Sequence, residues 1–360
     1  MSPALRTSTA PVRVDTASRR RAVRLWGGHL SRRVSPRAAA VCLMLALATV
    51  AAGLATLLVW GGLPFGEVLR TLQGHGTVSD EFIVYTVDSP RLLCAVMVGL
   101  ALGASGAIFQ SVSKNPLGSP DIIGFTMGSS AGAVFAITVL HAGYATTSLG
   151  ALAGGFGSAV LVYLLALRHG VQGQRLVIVG IAVSLMLGSV VNYLLTRSTL
   201  QGAQEAQVWL TGSLSGLGWD QLYPALAAVP VLLLVACLLV GRLNLLELGD
   251  DTARGLGMGV ERSRLALLAL GVALVAVATA TAGPISFVAL TAPQLARRLT
   301  GAPGAGVFPA ALMGAVLLVV GDIVAQHAFG VDLPVGVATG ALGGLYMAWL
   351  LAGQWRTGRA

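Results

Sequence analysis

Long apolar runs, separated by short polar or charged segments, make up most of this sequence. Most of them are close to the 20 or so helical residues that cross the roughly 30 Å hydrocarbon core of a bilayer. Charged residues gather between the runs, as expected where a charge in lipid is costly. The pattern predicts an all-α polytopic membrane protein with ten transmembrane helices, over residues 38–60, 91–110, 120–140, 150–167, 176–195, 222–240, 265–282, 284–296, 307–324 and 335–352.

Two of these boundaries rest on local signals. Ser119, Pro120 and Asp121 resemble an N-cap followed by a first-turn proline and acid, which predicts that the third helix begins there. Between Arg264 and Arg297 lie 32 residues without a charge. One helix of that length would extend about 48 Å, too far for the bilayer core. Because Gly283-Pro284 interrupts the run, we predict two passes, which return Arg297 to the side of Arg264 as the positive-inside rule favours. A short surface helix is predicted at 64–72.

The composition supports a membrane protein and explains the net charge. The chain is 55% hydrophobic and 10% charged, whereas soluble proteins carry about 25% charged residues. The formal charge of +9 comes mostly from residues 1–37, which hold nine arginines against Asp15 alone. This excess beside the first apolar run indicates a basic, disordered cytoplasmic tail and not a nucleic-acid-binding surface. The predicted transmembrane domain is 38–353, followed by a cytoplasmic tail at 354–360, with both termini cytoplasmic.

The polar segment 242–264 interrupts the hydrophobic pattern most strongly, since it carries eight charged residues between two apolar runs. Leu245, Leu248, Thr252 and Leu256 recur at helical spacing, which predicts a short amphipathic helix outside the bilayer. One interpretation is a solvated loop whose arginines only fix topology. The other is a helix that docks onto a partner protein.

Motifs for chemistry are absent from the chain. Lys114, the single lysine, follows no glycine-rich phosphate loop, so the chain does not hydrolyse ATP through that motif. The sequence has no metal-ligand spacing, no nucleophile motif and no paired mid-membrane carboxylates, which disfavours a membrane enzyme or a secondary transporter. Asp322, near the outer end of its run, is the closest to a buried acid. The chain itself is therefore expected to bind no cofactor, and the driving energy is expected from outside it.

Five stretches together resemble the permease subunit of FecCD-type ABC importers, which take up ferric siderophores, haem or cobalamin. They are GLALGASGAIFQSVSKNPLGSPDIIGFTMGSSAGA, WLTGSLSGLGW, LNLLELGDDTARGLGMGVERSR, GPISFVALTAPQLARRLTG and GDIVAQHAFGVDLPVGVATGALGG. The resemblance spans about residues 60–353 in order. It implies a type II importer fold in a bacterial cytoplasmic membrane, paired with a second permease, so that a heterodimer is expected. It also implies two ATPase subunits that bind ATP and magnesium, and an extracytoplasmic substrate-binding protein.

The resemblance also implies roles for particular residues. Arg91 would dock the binding protein. Gln172, Gly173 and Gln174 would form a cytoplasmic gate, and Ser189, Asn192 and Thr339 would line the translocation path. The ATPase coupling helix would comprise Leu248, Gly249, Asp250, Asp251, Ala253, Arg254, Leu256 and Gly257.

Three positions depart from the family pattern: Asp88 and Gln326 stand where the family usually has arginine, and Gln294 stands where it usually has histidine.

The resemblance as a whole favours a permease for iron–siderophore import. Cobalamin or haem import remains an alternative, and a secondary transporter is a more distant one.

Overall fold

The computed structural model describes residues 21–25, 30–60, 65–166, 173–301, 306–328 and 332–356. Within these ranges the chain is almost entirely helical. The long helices are α1 (Pro36–Trp60), α4 (Ser89–Ser113), α5 (Phe125–Thr138), α6 (Tyr144–Ala166), α7 (Gly173–Arg197), α9 (Trp219–Glu247), α11 (Val260–Ala282), α12 (Val288–Thr300), α13 (Val307–His327) and α14 (Val335–Arg356). Short helices are α2 (Phe65–Leu72), α3 (Val78–Glu81), α8 (Leu200–Leu210) and α10 (Asp250–Gly255).

Seven helical segments are long and apolar enough to cross a membrane. Two further apolar helices, Phe125–Thr138 and Val335–Trp349, are shorter. All ten predicted apolar runs thus fall on a helix, with α12 as the remaining short one. The surface helix predicted at 64–72 is present as α2.

Three segments differ from the prediction. The helix expected after Ser119 begins only at Phe125, because the residues before it form turns and Gly124 takes a left-handed conformation (φ 94°). Between the surface helix and the second apolar run, where no helix is predicted, the chain forms α3 and then a π-helical segment, Phe82–Asp88, that leads into α4. The disorder expected in the basic tail does not extend to its last part, where β1 (Arg21–Leu25) pairs antiparallel with β2 (Leu30–Val34).

Helix α4 lies at the centre of the bundle, since most of its residues are buried. Glycines let its neighbours approach closely: a Cβ on Gly99 or Gly103 would meet the backbone of α13, and one on Gly106 would meet the α12 backbone at Ala289. Close approach of this kind replaces the hydrophobic drive that lipid does not provide. The same reasoning applies to Gly128 and Gly132, which lie against α6.

The uncharged run between Arg264 and Arg297 turns back on itself, as predicted. Helix α11 ends at Gly283, which takes φ 73°, a conformation that suits glycine. Helix α12 then returns Arg297 to within 3.8 Å of Glu247, at the end of α9. The two ends of α4 define the two ends of the bundle, which we call the Arg91 end and the α10 end.

Candidate coupling site

The predicted amphipathic helix is divided between two elements. Helix α9 continues to Glu247, so Leu245 belongs to α9, while α10 occupies only Asp250–Gly255. Gly249 (φ 109°) and Gly257 (φ 82°) flank α10 in conformations that favour glycine. The apolar positions predicted to share one amphipathic helix therefore do not lie on one continuous helix. We call residues 248–257 the α10 segment.

Two large apolar side chains project from this segment. Leu248 is 62% exposed and Leu256 is 63% exposed. Both lie outside the apolar runs, so the exposure of their side chains is not explained by contact with lipid. Asp251 and Arg254, also exposed, form an ion pair at 3.2 Å. Ala253, by contrast, is fully buried and holds the segment against the bundle. Exposed apolar side chains among charges are typical of a protein-interaction surface.

The carboxylate of Asp250 bridges two cations from different parts of the chain. Its Oδ2 accepts a hydrogen bond from Arg264 Nη2 at 2.7 Å, and its Oδ1 accepts one from Lys114 Nζ at 3.1 Å. Burial raises the pKa of Asp250, but the hydrogen bonds and charges of Arg264 and Lys114 outweigh it and leave this pKa below its ordinary value. Asp250 therefore fastens α10 to the end of α4 and to the start of α11.

A second polar group joins three helices at the same end. Ser111 of α4 donates to Glu247 Oε1 at 2.7 Å, and Arg297 Nη2 of α12 donates to Ser111 Oγ at 3.2 Å. Arg297 also lies 3.8 Å from Glu247. Charged partners strengthen such hydrogen bonds. Sequence reasoning missed this group because its members are far apart in the chain.

At the opposite end, Arg91 is occupied by an internal partner. Its Nε and Nη2 donate to the two carboxylate oxygens of Asp322, each at 3.0 Å. The Arg91 side chain is 14% exposed and that of Asp322 only 1%. Gln326 donates to the same carboxylate at 3.2 Å, which gives this departure from the family pattern a local role. Asp88, the other departure nearby, is buried at the N-cap of α4.

The predicted gate and path residues are only partly brought together. Gln172 lies outside the described residues, and Gly173 and Gln174 begin α7. Ser189 and Asn192 share the exposed face of α7. Thr339 is buried instead, and its hydroxyl donates a hydrogen bond to Gly336 O at 3.2 Å. It therefore does not lie with Ser189 and Asn192 on the exposed face of α7.

Gln294, for which the sequence offered no reason, links three parts of the structure. Its Nε2 donates to Pro116 O at 2.8 Å, and its Oε1 accepts from the Tyr346 hydroxyl at 3.5 Å. It thus ties α12 to the turn after α4 and to α14. Among the described residues, no group of three His, Cys, Asp or Glu side chains is arranged to hold a metal ion.

Long apolar helices, with the exposed α10 segment at one end of the bundle, are typical of a polytopic membrane protein. The comparisons make the class more specific: the FecCD transport family model matches residues 41–353, and the chain belongs to that family. ATP hydrolysis in this class is performed by a separate partner.

Several known proteins are similar to this chain. The ferric enterobactin transport system permease protein FepG of Escherichia coli (strain K12) is 44% identical over 325 residues, covering 88% of this chain and 97% of that protein. The probable siderophore transport system permease protein YfhA of Bacillus subtilis (strain 168) is 36% identical, covering 80% of this chain and 87% of that protein. A solved inward-facing structure, assigned to the metal-chelate type of ABC transporter, aligns with a TM-score of 0.75 at 27% identity, covering 88% of this chain and 99% of that one.

Proposed function

We propose that this chain is the membrane permease of an importer that brings ferric siderophores across the cytoplasmic membrane of a bacterium. The support is the similarity, over most of the chain, to permeases named for ferric enterobactin and siderophore transport. Cobalamin or haem import remains the alternative within the same family. Any of these ligands would need a passage wide enough for a bulky molecule. Their transport would not require a cluster of metal-binding side chains in this chain.

Ten membrane crossings with both termini in the cytoplasm fit this proposal. Seven long apolar helices and the shorter α5, α12 and α14 supply the crossings. Lys114, Arg254, Arg264 and Arg297 lie at the α10 end, which the positive-inside rule places in the cytoplasm. The Arg91 end would then face outward.

The α10 segment would be the contact with the ATPase. The observation that carries this assignment is the pair of exposed leucines, Leu248 and Leu256, on a segment fastened from behind by Asp250. A partner that covered these apolar side chains would remove them from water, which favours association. Asp251 and Arg254 would orient the contact through their exposed charges, and Gly249 and Gly257 would set the angle of the segment.

Movement of the ATPase subunits as they bind and hydrolyse ATP would then be passed to the helices on either side. A second permease, forming a heterodimer, would cover the exposed face of α7, so that Ser189 and Asn192 line a path between the two chains. Thr339 would reach this path only if α14 shifted, since it is buried. Gln172, Gly173 and Gln174 remain the proposed cytoplasmic gate.

The substrate-binding protein would dock at the Arg91 end. Arg91 remains the candidate contact from this chain, but its bidentate pair with Asp322 leaves little of the side chain exposed. Its direct share in docking would therefore be small, and its main contribution would be to hold α4 against α13.

The proposal is tested by reconstituting this permease with its partner permease, ATPase and binding protein in proteoliposomes. We expect ATP-dependent uptake of radiolabelled ferric enterobactin or another ferric siderophore, with no competition from cyanocobalamin or haem. Uptake of cobalamin or haem, with no uptake across a panel of catecholate, hydroxamate and citrate iron complexes, would replace the siderophore assignment with the alternative.

A further inference from the structure

The last turn of α4 carries the polar contacts that tie this helix to the α10 end. Lys114, which follows α4 directly, reaches Asp250 of α10 at 3.1 Å. One turn earlier, Ser111 donates to Glu247 at the end of α9 and accepts from Arg297 of α12. Both contacts are made within about one turn of the end of α4, so a displacement of α10 would act directly on α4.

The backbone at Lys114 is held in an unusual conformation at the end of α4. Lys114 takes φ 51°, a left-handed conformation that is uncommon for residues other than glycine. It lies at the C-cap of α4, where its N–H is bonded to Gln110 O and Ser111 O. The lysine charge is favourable at this helix end because the C-terminal carbonyls are partly negative. The chain uses its only lysine at this position.

The opposite end of α4 is held equally firmly. Its 25 residues extend about 37 Å at 1.5 Å per residue. At the far end Arg91 is paired with Asp322 of α13, and between the two ends Gly99, Gly103 and Gly106 bring its backbone against α13 and α12. A helix packed this closely moves as a rigid element, because its neighbours leave no space in which it could bend.

We propose that α4 transmits the movement of the α10 segment to the Arg91 end of the permease, and that Lys114 is the positioning residue through which α10 acts on it. This inference rests on the proposed contact between the α10 segment and the ATPase. Lys114 touches neither substrate nor ATP, so its effect is on the balance between two conformations of the complex. Ser111 and Glu247 form a parallel connection through α9.

The experiment measures that balance directly and needs no transported ligand. Spin labels are placed on the reconstituted complex at Val78→Cys and Leu200→Cys, which are 86% and 78% exposed, after Cys42, Cys94 and Cys237 are replaced by alanine. Pulsed electron paramagnetic resonance gives the distribution of distances between the labels, first without nucleotide and then after trapping with ATP and vanadate. We expect trapping to shift the distribution in the otherwise unchanged protein.

Lys114→Gln should change the ratio of trapped to resting populations by up to about fivefold, the limit set by loss of a partly exposed ion pair. Lys114→Arg, which can still reach Asp250, should restore the ratio. Arg242→Gln is the matched control, since it removes an exposed positive charge of α9 at the same end. Co-purification of the ATPase and its rate of hydrolysis should stay unchanged in all three variants.

An unchanged population ratio in Lys114→Gln would overturn the role of Lys114 in transmission. Loss of the ATPase from that variant would also overturn it, because Lys114 would then act in docking. If the parent complex hydrolyses ATP but its label distances do not shift on trapping, the proposed alternation between conformations is wrong. That outcome is distinguishable from failure of the Lys114 role, because it is seen without any change at Lys114.

Discussion

The guanidinium of Arg91 and the carboxylate of Asp322 form a bidentate pair, 231 positions apart in the sequence, with both oxygens bonded at 3.0 Å. The pair joins the start of α4 to α13 where both side chains are largely removed from solvent. A planar guanidinium fork matches a carboxylate in this way, which a lysine could not do. The residue expected to dock an external protein is thus also a structural link inside the permease.

Removing one member of this pair should destabilise the protein. Asp322→Asn leaves the Arg91 charge without a carboxylate in a buried setting, a change that typically costs about 3–5 kcal/mol. We expect a clear fall in the thermal unfolding midpoint of the purified permease in detergent. The double variant Arg91→Gln with Asp322→Asn should recover part of the loss, because no buried charge remains. Equal stability of Asp322→Asn and the parent protein would contradict the structural role.

The same pair predicts how the binding protein responds. Arg91→Glu should weaken docking mainly through the altered outer end, so that the association rate depends on ionic strength to the same extent as in the parent complex. Arg70→Glu, on the exposed face of α2, serves as a control for a change of surface charge. Association rates are measured at two salt concentrations. A rate that loses its salt dependence only in Arg91→Glu would show that Arg91 itself steers the partner.

The α10 segment should respond to pH through Asp250. Its pKa is lower in the folded protein than the ordinary value of 3.8, so its ion pairs stabilise the fold fully above that value. The contribution is lost as the pH falls through the lower, folded pKa. The difference in unfolding midpoint between the parent protein and Asp250→Asn should therefore be constant from about pH 5 to about pH 8. It should shrink below about pH 4. A difference that grows on acidification would contradict the assigned shift.

Exposed Leu256 should be required for ATPase binding. Leu256→Asp places a charge where an apolar contact is expected, and covering an unpaired charge at an interface is costly. We expect the ATPase to be lost on co-purification while the permease keeps its unfolding midpoint. Leu238→Ala, on an exposed face of α9 within the apolar run, is the matched control and should retain the ATPase. Retention of the ATPase by Leu256→Asp would remove the α10 segment from the interface.

Membrane orientation can be tested at the same exposed positions. In a cysteine-free background, Leu256→Cys should react with an impermeant maleimide only from the cytoplasmic side, and Leu200→Cys only from outside. Both residues are more than half exposed. Labelling is compared between intact cells and inverted vesicles. The reverse pattern would invert the proposed orientation of the whole bundle.

Close packing around α4 predicts which glycines are sensitive to substitution. Gly106→Ala would place a methyl group against the backbone of Ala289, and such overpacking typically costs about 1–3 kcal/mol. Gly188→Ala is the control, because nothing lies within 4 Å of the added methyl group. We expect a lower unfolding midpoint for Gly106→Ala and little change for Gly188→Ala. Similar midpoints for both would contradict the packing around α4.

The sequence determined the helical class and the positions of the apolar runs, because a bilayer accepts only backbone whose hydrogen bonds are satisfied internally. It also determined the return of α12, since 32 uncharged residues exceed the thickness of the hydrocarbon core and Gly283-Pro284 breaks them. Both inferences depend on length and local chemistry, which are present in the sequence.

Only the tertiary structure decided which charges meet. Arg91 faces Asp322 rather than solvent, Asp250 joins Lys114 to Arg264, and Thr339 is buried away from Ser189. These relationships depend on how helices distant in the sequence rotate and pack. Small residues such as Gly103 and Gly106 decide that packing, because they let particular helix faces come close. Periodicity gives the face of a helix, but the packing of its neighbours determines what that face contacts.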